Sequence, residues 1–574
     1  MQKIKQFFSN PIFWCFGVIG GLMATFTKIF FSGIPQNTVD SPLSLFPHEA
    51  GNFYNYCRTI FSVENTVLLI LSTVFFYSVI NFLYRALGKI KLITNTKNRL
   101  RARTIFFITL AASFVIFLIA FLVYYPGLGM NDTHTALQEF VRDNQHPPIF
   151  QAIVYGIFHV FQNITGSGNT GYAMITFVQL FSAACIISYF IAWLYSHKTA
   201  NWIVAIIAIF LIGSPLVSNY TVTVLKDTWF AYAFLLLLPN LYDFIVFKTP
   251  SVANKILLLT GLLGIWISRS NGQMILFVLL VVMLIVLFKN KSKRLFIAIS
   301  AGAFLIAGLC VNLITSSRTT EDVSFRESVS VPLAQIGAVV NANGELSQED
   351  KDFIEKILPL DKWSINYRLS FIDFTKMDEQ FDNAFLREHK TEFFQTWLSI
   401  AVKNPGIYTR AYLFQTYGLW NLAYWDTDSI IINQSVFQDV LNNISKEDPA
   451  DGWNDWIKTS GLSNQPALSP ELSGILNNYY QSTALVNLFF SAGVIILICF
   501  GCTAIIIVTK KYRYLILYLP VYLTWGSMMI ATPASMIYRY NFYLLLSLPF
   551  IIFVAIKATQ KTKKIKKNAL STLK

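Results

Sequence analysis

Long apolar runs recur along the whole chain, and they limit its fold more than any other feature. Twelve segments have the length and character of membrane-spanning helices: 12–32, 66–86, 104–124, 172–194, 202–217, 228–247, 254–268, 272–288, 295–315, 484–508, 514–531 and 541–557. A helix needs about 20 apolar residues to cross the hydrocarbon core. Two stretches exceed one pass and carry their own breaks. Gly213-Ser214-Pro215 and Lys226-Asp227 interrupt 202–247, and Arg269-Ser270-Asn271-Gly272 interrupts 254–288. Only 13% of residues are charged, about half the share of a soluble domain. A soluble globular enzyme and a disordered chain are excluded, which leaves an all-α polytopic membrane protein.

The charges are sorted along the chain. Residues 316–483 hold 23 of the 31 acids and 13 of the 45 bases. Elsewhere the bases crowd beside apolar runs, at Lys89 to Arg103, Lys289 to Arg294, Lys510 to Arg513 and in the tail from Lys557. This is the positive-inside pattern, with attraction to anionic membrane lipid as a secondary effect. It has no aromatic–basic face for nucleic acid. With 88–103 in the cytoplasm and twelve spans, both termini and every lysine-rich loop are cytoplasmic, provided that 147–163 lies in the outer interface without crossing. The first run follows Lys3 and Lys5 like a signal sequence, but no cleavage site stands out, so it reads as a retained span. Outside 316–483 the acids are Asp40, Glu49, Glu64, Asp132, Glu139, Asp143, Asp227 and Asp243, and all but Asp243 fall on the external side.

The expected organisation follows. Residues 1–103 are two leading spans and a basic loop, 104–315 a membrane core with an external loop at 125–171, 316–483 a mainly helical, acidic extracytoplasmic domain, 484–557 three closing spans, and 558–574 a basic tail. Cys499 and Cys502 have redox or zinc spacing, but they sit in an apolar run without histidine and read as packing residues.

The polar breaks on the external side carry the candidate chemistry. After Tyr124-Tyr125-Pro126-Gly127, Asp132 stands at the head of a short helix, as a helix cap or as a general base held beside apolar walls. Lys226 and Asp227 open a span. Lys226 either snorkels or binds a phosphate, and Asp227 either favours the helix N-terminus or orients a partner. Arg269 and Asn271 lie between two runs, where Asn271-Gly272 signals a turn. Arg539 is an aromatic-flanked interface anchor or a phosphate ligand. His146, before Pro147-Pro148, is a restricted turn residue or takes a catalytic or phosphate role, whereas His134 and His159 read as structural or interfacial. Arg and Lys grip phosphate oxygens well. No histidine cluster suggests a metal site, and no Walker or dinucleotide motif supports nucleotide chemistry.

The span ending in Tyr-Pro-Gly, followed by Asp132 and then His146-Pro147, resembles the first external loop of GT-C superfamily membrane glycosyltransferases, and more closely uncharacterised bacterial polytopic relatives of that superfamily. Pro215, Lys226-Asp227, the Arg-Ser-Asn-Gly at 269–272 and Arg539-Tyr540 fit the same order. The likeness covers about 104–320 and the last 60 residues. It implies a helical bundle with interfacial helices in the first long external loop. It further implies a polyprenyl-phosphate-linked sugar as donor and a cell-envelope glycan or lipid as acceptor. Asp132 would be the base, Lys226 and Arg269 would hold the lipid phosphate, and Asp227, His146, Arg539 and Asn271 would assist. Two spans precede the motif-bearing one, and no second acid adjoins Asp132, so a divalent cation as cofactor stays open. A lipid or oligosaccharide flippase, or a scaffold acting through 316–483, are the competing readings.

Overall fold

The computed structural model describes residues 8–33, 62–90, 100–129, 131–138, 147–316, 322–369, 371–423, 460–463, 465–468, 471–472, 491–534 and 538–560. These residues are nearly all helical, and among them extended pairing is confined to isolated bridges. The helices of the membrane part are α1 (Pro11–Gly33), α2 (Val63–Lys89), α3 (Ala102–Val123), α4 (Asn131–Gln138), α5 (Pro148–Thr165), α6 (Gly168–Ser196), α7 (Asn201–Gly213), α8 (Pro215–Val222), α9 (Lys226–Val246), α10 (Val252–Ser268), α11 (Ser270–Val286) and α12 (Lys291–Ser316). Beyond a run of short helices come α13 (Ala492–Val508), α14 (Leu519–Ala531) and α15 (Phe542–Thr559).

Seven of the described helices are long and apolar enough to cross a membrane: Pro11–Ile29 in α1, α2, α3, α6, α9, Lys291–Leu313 in α12, and Tyr538–Thr559, which contains α15. The pair α7 and α8, bent by 49°, makes an eighth if it forms one span. The remaining apolar runs, α10, α11, α13 and α14, are helical but have 17, 17, 17 and 13 residues. At 1.5 Å per residue they reach about 20–25 Å, short of the roughly 30 Å hydrocarbon core. The expected twelve runs are therefore helices of two length classes. The expected 147–163 helix is α5, whose Phe150, Val154 and Phe158 are buried.

Burial ranks the helices. The apolar windows of α9 and of Tyr538–Thr559 are 83% and 78% buried, against 17% for α2 and α12. A helix apolar on all sides belongs inside a bundle. These two central helices pack on each other. Cys499 and Cys502 are buried and unbridged on α13.

One end of the bundle gathers the lysines. Lys557 Nζ donates to the His197 carbonyl at 2.7 Å, Lys293 Nζ to the Phe247 carbonyl at 2.6 Å, and Lys511 Nζ to the Gln560 carbonyl at 2.7 Å. Arg513 donates to the Ile245 carbonyl. The cations thus satisfy carbonyls at helix C-termini, where the dipole also favours them. Asp243 lies at this end too. It accepts from Trp193 Nε1 at 2.9 Å and stands 2.9 Å from His197 Nε2.

Residues 322–423 build a second apolar core, with Leu333, Ile336, Ile354, Trp363 and Leu386 fully buried. This unit leans on the turn after α14. Ile372 N donates to the Pro533 carbonyl at 3.1 Å, and Gln415 Nε2 to the carbonyls of Thr532 at 3.0 Å and Pro533 at 2.7 Å. The helix Gln348–Ile357 opens with a capping box between Ser347 and Asp350. Burial alone would raise the Asp350 carboxyl, but hydrogen bonds from Lys403 and Ser347 outweigh it and hold the group below its ordinary value. A depressed carboxyl stabilises the fold above its unfolded-state pKa, and that contribution is lost as pH falls through the folded one. D350N should therefore raise hydrogen exchange over 348–357 near pH 7. The gap to the wild type should begin to shrink below about pH 4, where the unfolded-state carboxyl protonates, and vanish only once the folded-state carboxyl is protonated too.

Candidate functional site

The end of the bundle opposite the lysines begins with a short splice between two loops. Leu128 N donates to the Val222 carbonyl at 2.9 Å, and Val224 N donates to the Leu128 carbonyl at 2.9 Å. This parallel bridge lays the segment after α3 beside the segment before α9. Gln179 Nε2 braces the second strand by donating to the carbonyls of Thr221 and Thr223, both at 2.7 Å, and Trp229 Nε1 donates to Gln179 Oε1 at 2.6 Å. Tyr172 Oη donates to the Leu128 carbonyl at 2.6 Å. Gly127 has φ +134°, and a Cβ there would lie 2.3 Å from Thr176 Oγ1, so the tight approach to α6 requires glycine. The splice sets Asp132, in the first turn of α4, against Lys226, the first residue of α9. Thr133 Oγ1 donates to the Val224 carbonyl and fastens α4 in place.

Five charged side chains then form a row of alternating sign. Lys226 Nζ lies 3.1 Å from Asp132 Oδ2, and Arg539 Nη1 lies 3.1 Å from the same oxygen. Arg539 Nε is 3.7 Å from Asp227 Oδ2, and Arg269 Nη1 is 3.2 Å from Asp227 Oδ1. The side chain of Asp227 is 1% exposed and those of both arginines 10%, against 22% for Asp132. Neither Asp227 oxygen has an aligned hydrogen bond, so the contacts with its arginines are ionic. Aromatic faces wall the arginines. Arg269 Cζ lies 5.4 Å from the centre of the Phe230 ring and 5.3 Å from that of Tyr540, and Arg539 Cζ is 4.9 Å from the Tyr540 ring. Arg539 Nη2 donates to Tyr540 Oη at 3.0 Å.

Three cations face two carboxylates, which leaves one net positive charge. The backbone adds to it where α4, α9 and α11 begin at this row, offset in part by α10, which ends at Arg269. Helix N-termini carry partial positive charge and unpaired N–H groups. The arrangement suits an anion with several oxygens. A divalent cation fits poorly, because Arg539 stands between the two carboxylates and both are engaged by cations. Among the described residues, no three His, Cys, Asp or Glu side chains are grouped to hold a metal.

Asp132, Lys226, Asp227, Arg269 and Arg539 therefore converge, although 407 positions separate the first from the last. Asn271 does not join the row by a direct contact. Its Nδ2 donates to Ser527 Oγ at 3.0 Å and ties α11 to α14. The Asn271-Gly272 turn expected from sequence is corrected: both residues lie inside α11, and the break is Arg269 alone, with φ −143° and ψ 140°. Gly272 is needed for close approach, since a Cβ there would lie 2.4 Å from the Ile265 carbonyl oxygen. His146 lies outside the described residues. His159 Nε2 faces the Leu137 carbonyl at 3.1 Å, a structural contact. The sequence reading missed Phe230 and Gln179. Phe230 follows Asp227 by three positions, so it shares that helix face, a signal present in the spacing.

A family model described as a family of unknown function (DUF6020) matches residues 132–569. The chain belongs to this family. The DUF6020 match starts at Asp132 and spans the whole charged row. No curated protein and no solved structure matches the chain.

Removing one partner of a buried ion pair costs about 3–5 kcal/mol, because the other charge stays in a dry place. R269A should therefore lower the thermal stability of the detergent-solubilised protein much more than K226A, whose partner Asp132 reaches water. Equal, small losses would show that Asp227 is not a buried charge.

Proposed function

We propose that this protein is a membrane glycosyltransferase of GT-C type that moves a sugar from a polyprenyl-phosphate donor to a cell-envelope acceptor outside the cytoplasm. The observation that carries the reading is the row itself: three cations and three helix N-termini meet two carboxylates at one end of an apolar bundle. A polyprenyl phosphate has matching parts, with tails that lie among lipids and a phosphate that stays at the interface.

In this reading the chain makes twelve passes, including the four shorter apolar helices. The lysine-rich end is cytoplasmic, as are both termini, and the charged row faces outward. Lys226 and Arg539 hold the phosphate oxygens. Arg269 lends charge through the buried Asp227, which keeps the two arginines together. The acceptor hydroxyl attacks the anomeric carbon, the bond from that carbon to the phosphate oxygen breaks, and its electron pair leaves with the polyprenyl phosphate. The hydroxyl proton passes to Asp132. Fixed positive charge in a water-poor setting stabilises the departing phosphate most as its charge grows. The unit at 322–423, which contacts Thr532 and Pro533 ahead of Arg539, presents the acceptor in this reading.

Replacing Asp132 by Asn keeps the shape and removes the base. Cells carrying D132N at normal protein level should lose one glycan from their envelope profile, with a loss of transfer of about 100-fold or more. An unchanged profile would overturn the reading.

A further inference from the structure

The position of Asp132 raises a difficulty for its role as a base. A single oxygen, Oδ2, takes both Lys226 and Arg539 at 3.1 Å. Two cations on one oxygen is the setting a phosphoryl oxygen would occupy. A carboxylate so held is a poor proton acceptor, because a proton would have to replace two attractive charges. The same contact also fills the place where the donor phosphate should bind.

Both difficulties have one resolution. We infer that Asp132 is an internal competitor for the phosphate: its carboxylate holds Lys226 and Arg539 in the ligand-free site and yields them to the donor. This rests on the phosphate-binding reading given above. Three observations favour exchange at Asp132 over exchange at Asp227. Asp132 is the more exposed, at 22% against 1%. The neighbouring Thr133 is fastened through Oγ1 to the Val224 carbonyl, which anchors α4 apart from the Asp132 ion pairs, so the side chain can turn while α4 stays. Asp227 is wedged between Arg269 and Arg539, and its departure would leave two arginines repelling each other in a buried place.

The exchange has a chemical consequence. Once the phosphate takes Lys226 and Arg539, Asp132 loses its two cations and gains an anionic neighbour. Both changes make it a better base. Arrival of the donor thus creates the proton acceptor, and the acceptor hydroxyl is not activated in an empty site. The order of events is donor first, then acceptor.

The test uses the full-length protein in nanodiscs, with farnesyl phosphate as a short polyprenyl monophosphate probe. Removing the competing charge should tighten binding: D132N should bind farnesyl phosphate about tenfold or more tightly than wild type, since loss of one nearby like charge is commonly worth at least one decade. D132S, which removes the charge and keeps a small polar side chain, should gain similarly and serves if the amide variant fails to fold. R539Q should bind at least tenfold more weakly. Wild-type binding with no gain in either Asp132 variant would overturn the competitor role and leave the phosphate clamp standing. Absence of binding in wild type and variants alike would overturn both.

Discussion

Arg539 joins two carboxylates that the chain would otherwise hold far apart. It sits where the last long helix begins, touches Asp132 of α4, and reaches Asp227 at the head of the central helix α9. A guanidinium has several donors in a plane and can serve two acids at once. Its own burial makes those acids necessary, since a lone buried charge costs several kcal/mol. The same argument covers Asp227, which could not stay dry without Arg269. Each charge is thus a condition for the next, and the row closes the bundle at one end.

The opposite end obeys the complementary rule. Lys293 and Lys511 there cap the C-termini of α9 and α15, two of the helices that start from the row. The dipoles of α9 and α15, the fixed charges and the loop composition therefore agree along the bundle axis. A transporter would be expected to keep ionisable groups near the middle of its spans. Here the charged row lies at helix starts, which favours chemistry on an interfacial headgroup over passage through the bundle.

Much of this was legible in the sequence. Lys226-Asp227, Arg269 and Arg539 stood out because a charge beside an apolar run is expensive unless it has a purpose, and Asp132 because an acid follows a Pro-Gly turn. Their common side followed from loop charges alone. Their pairing did not, since no local pattern links Asp132 to a residue near the other end of the chain. The breaks at Pro215 and Arg269 were legible as well, but 202–217 reads as one span, whereas the chain bends by 49° between α7 and α8. At 271–272 turn chemistry was outweighed by packing, because Gly272 lets α11 approach Ile265 of α10 closely.

The account depends most on which way the row faces. Thr135 lies one turn beyond Asp132, and Lys289 lies at the lysine-rich end, exposed. With the six native cysteines replaced, a cysteine at each position can be probed in intact cells by a membrane-impermeant maleimide. T135C should react from outside, and K289C only after permeabilisation; the reverse pattern would place the charged row in the cytoplasm and contradict the account.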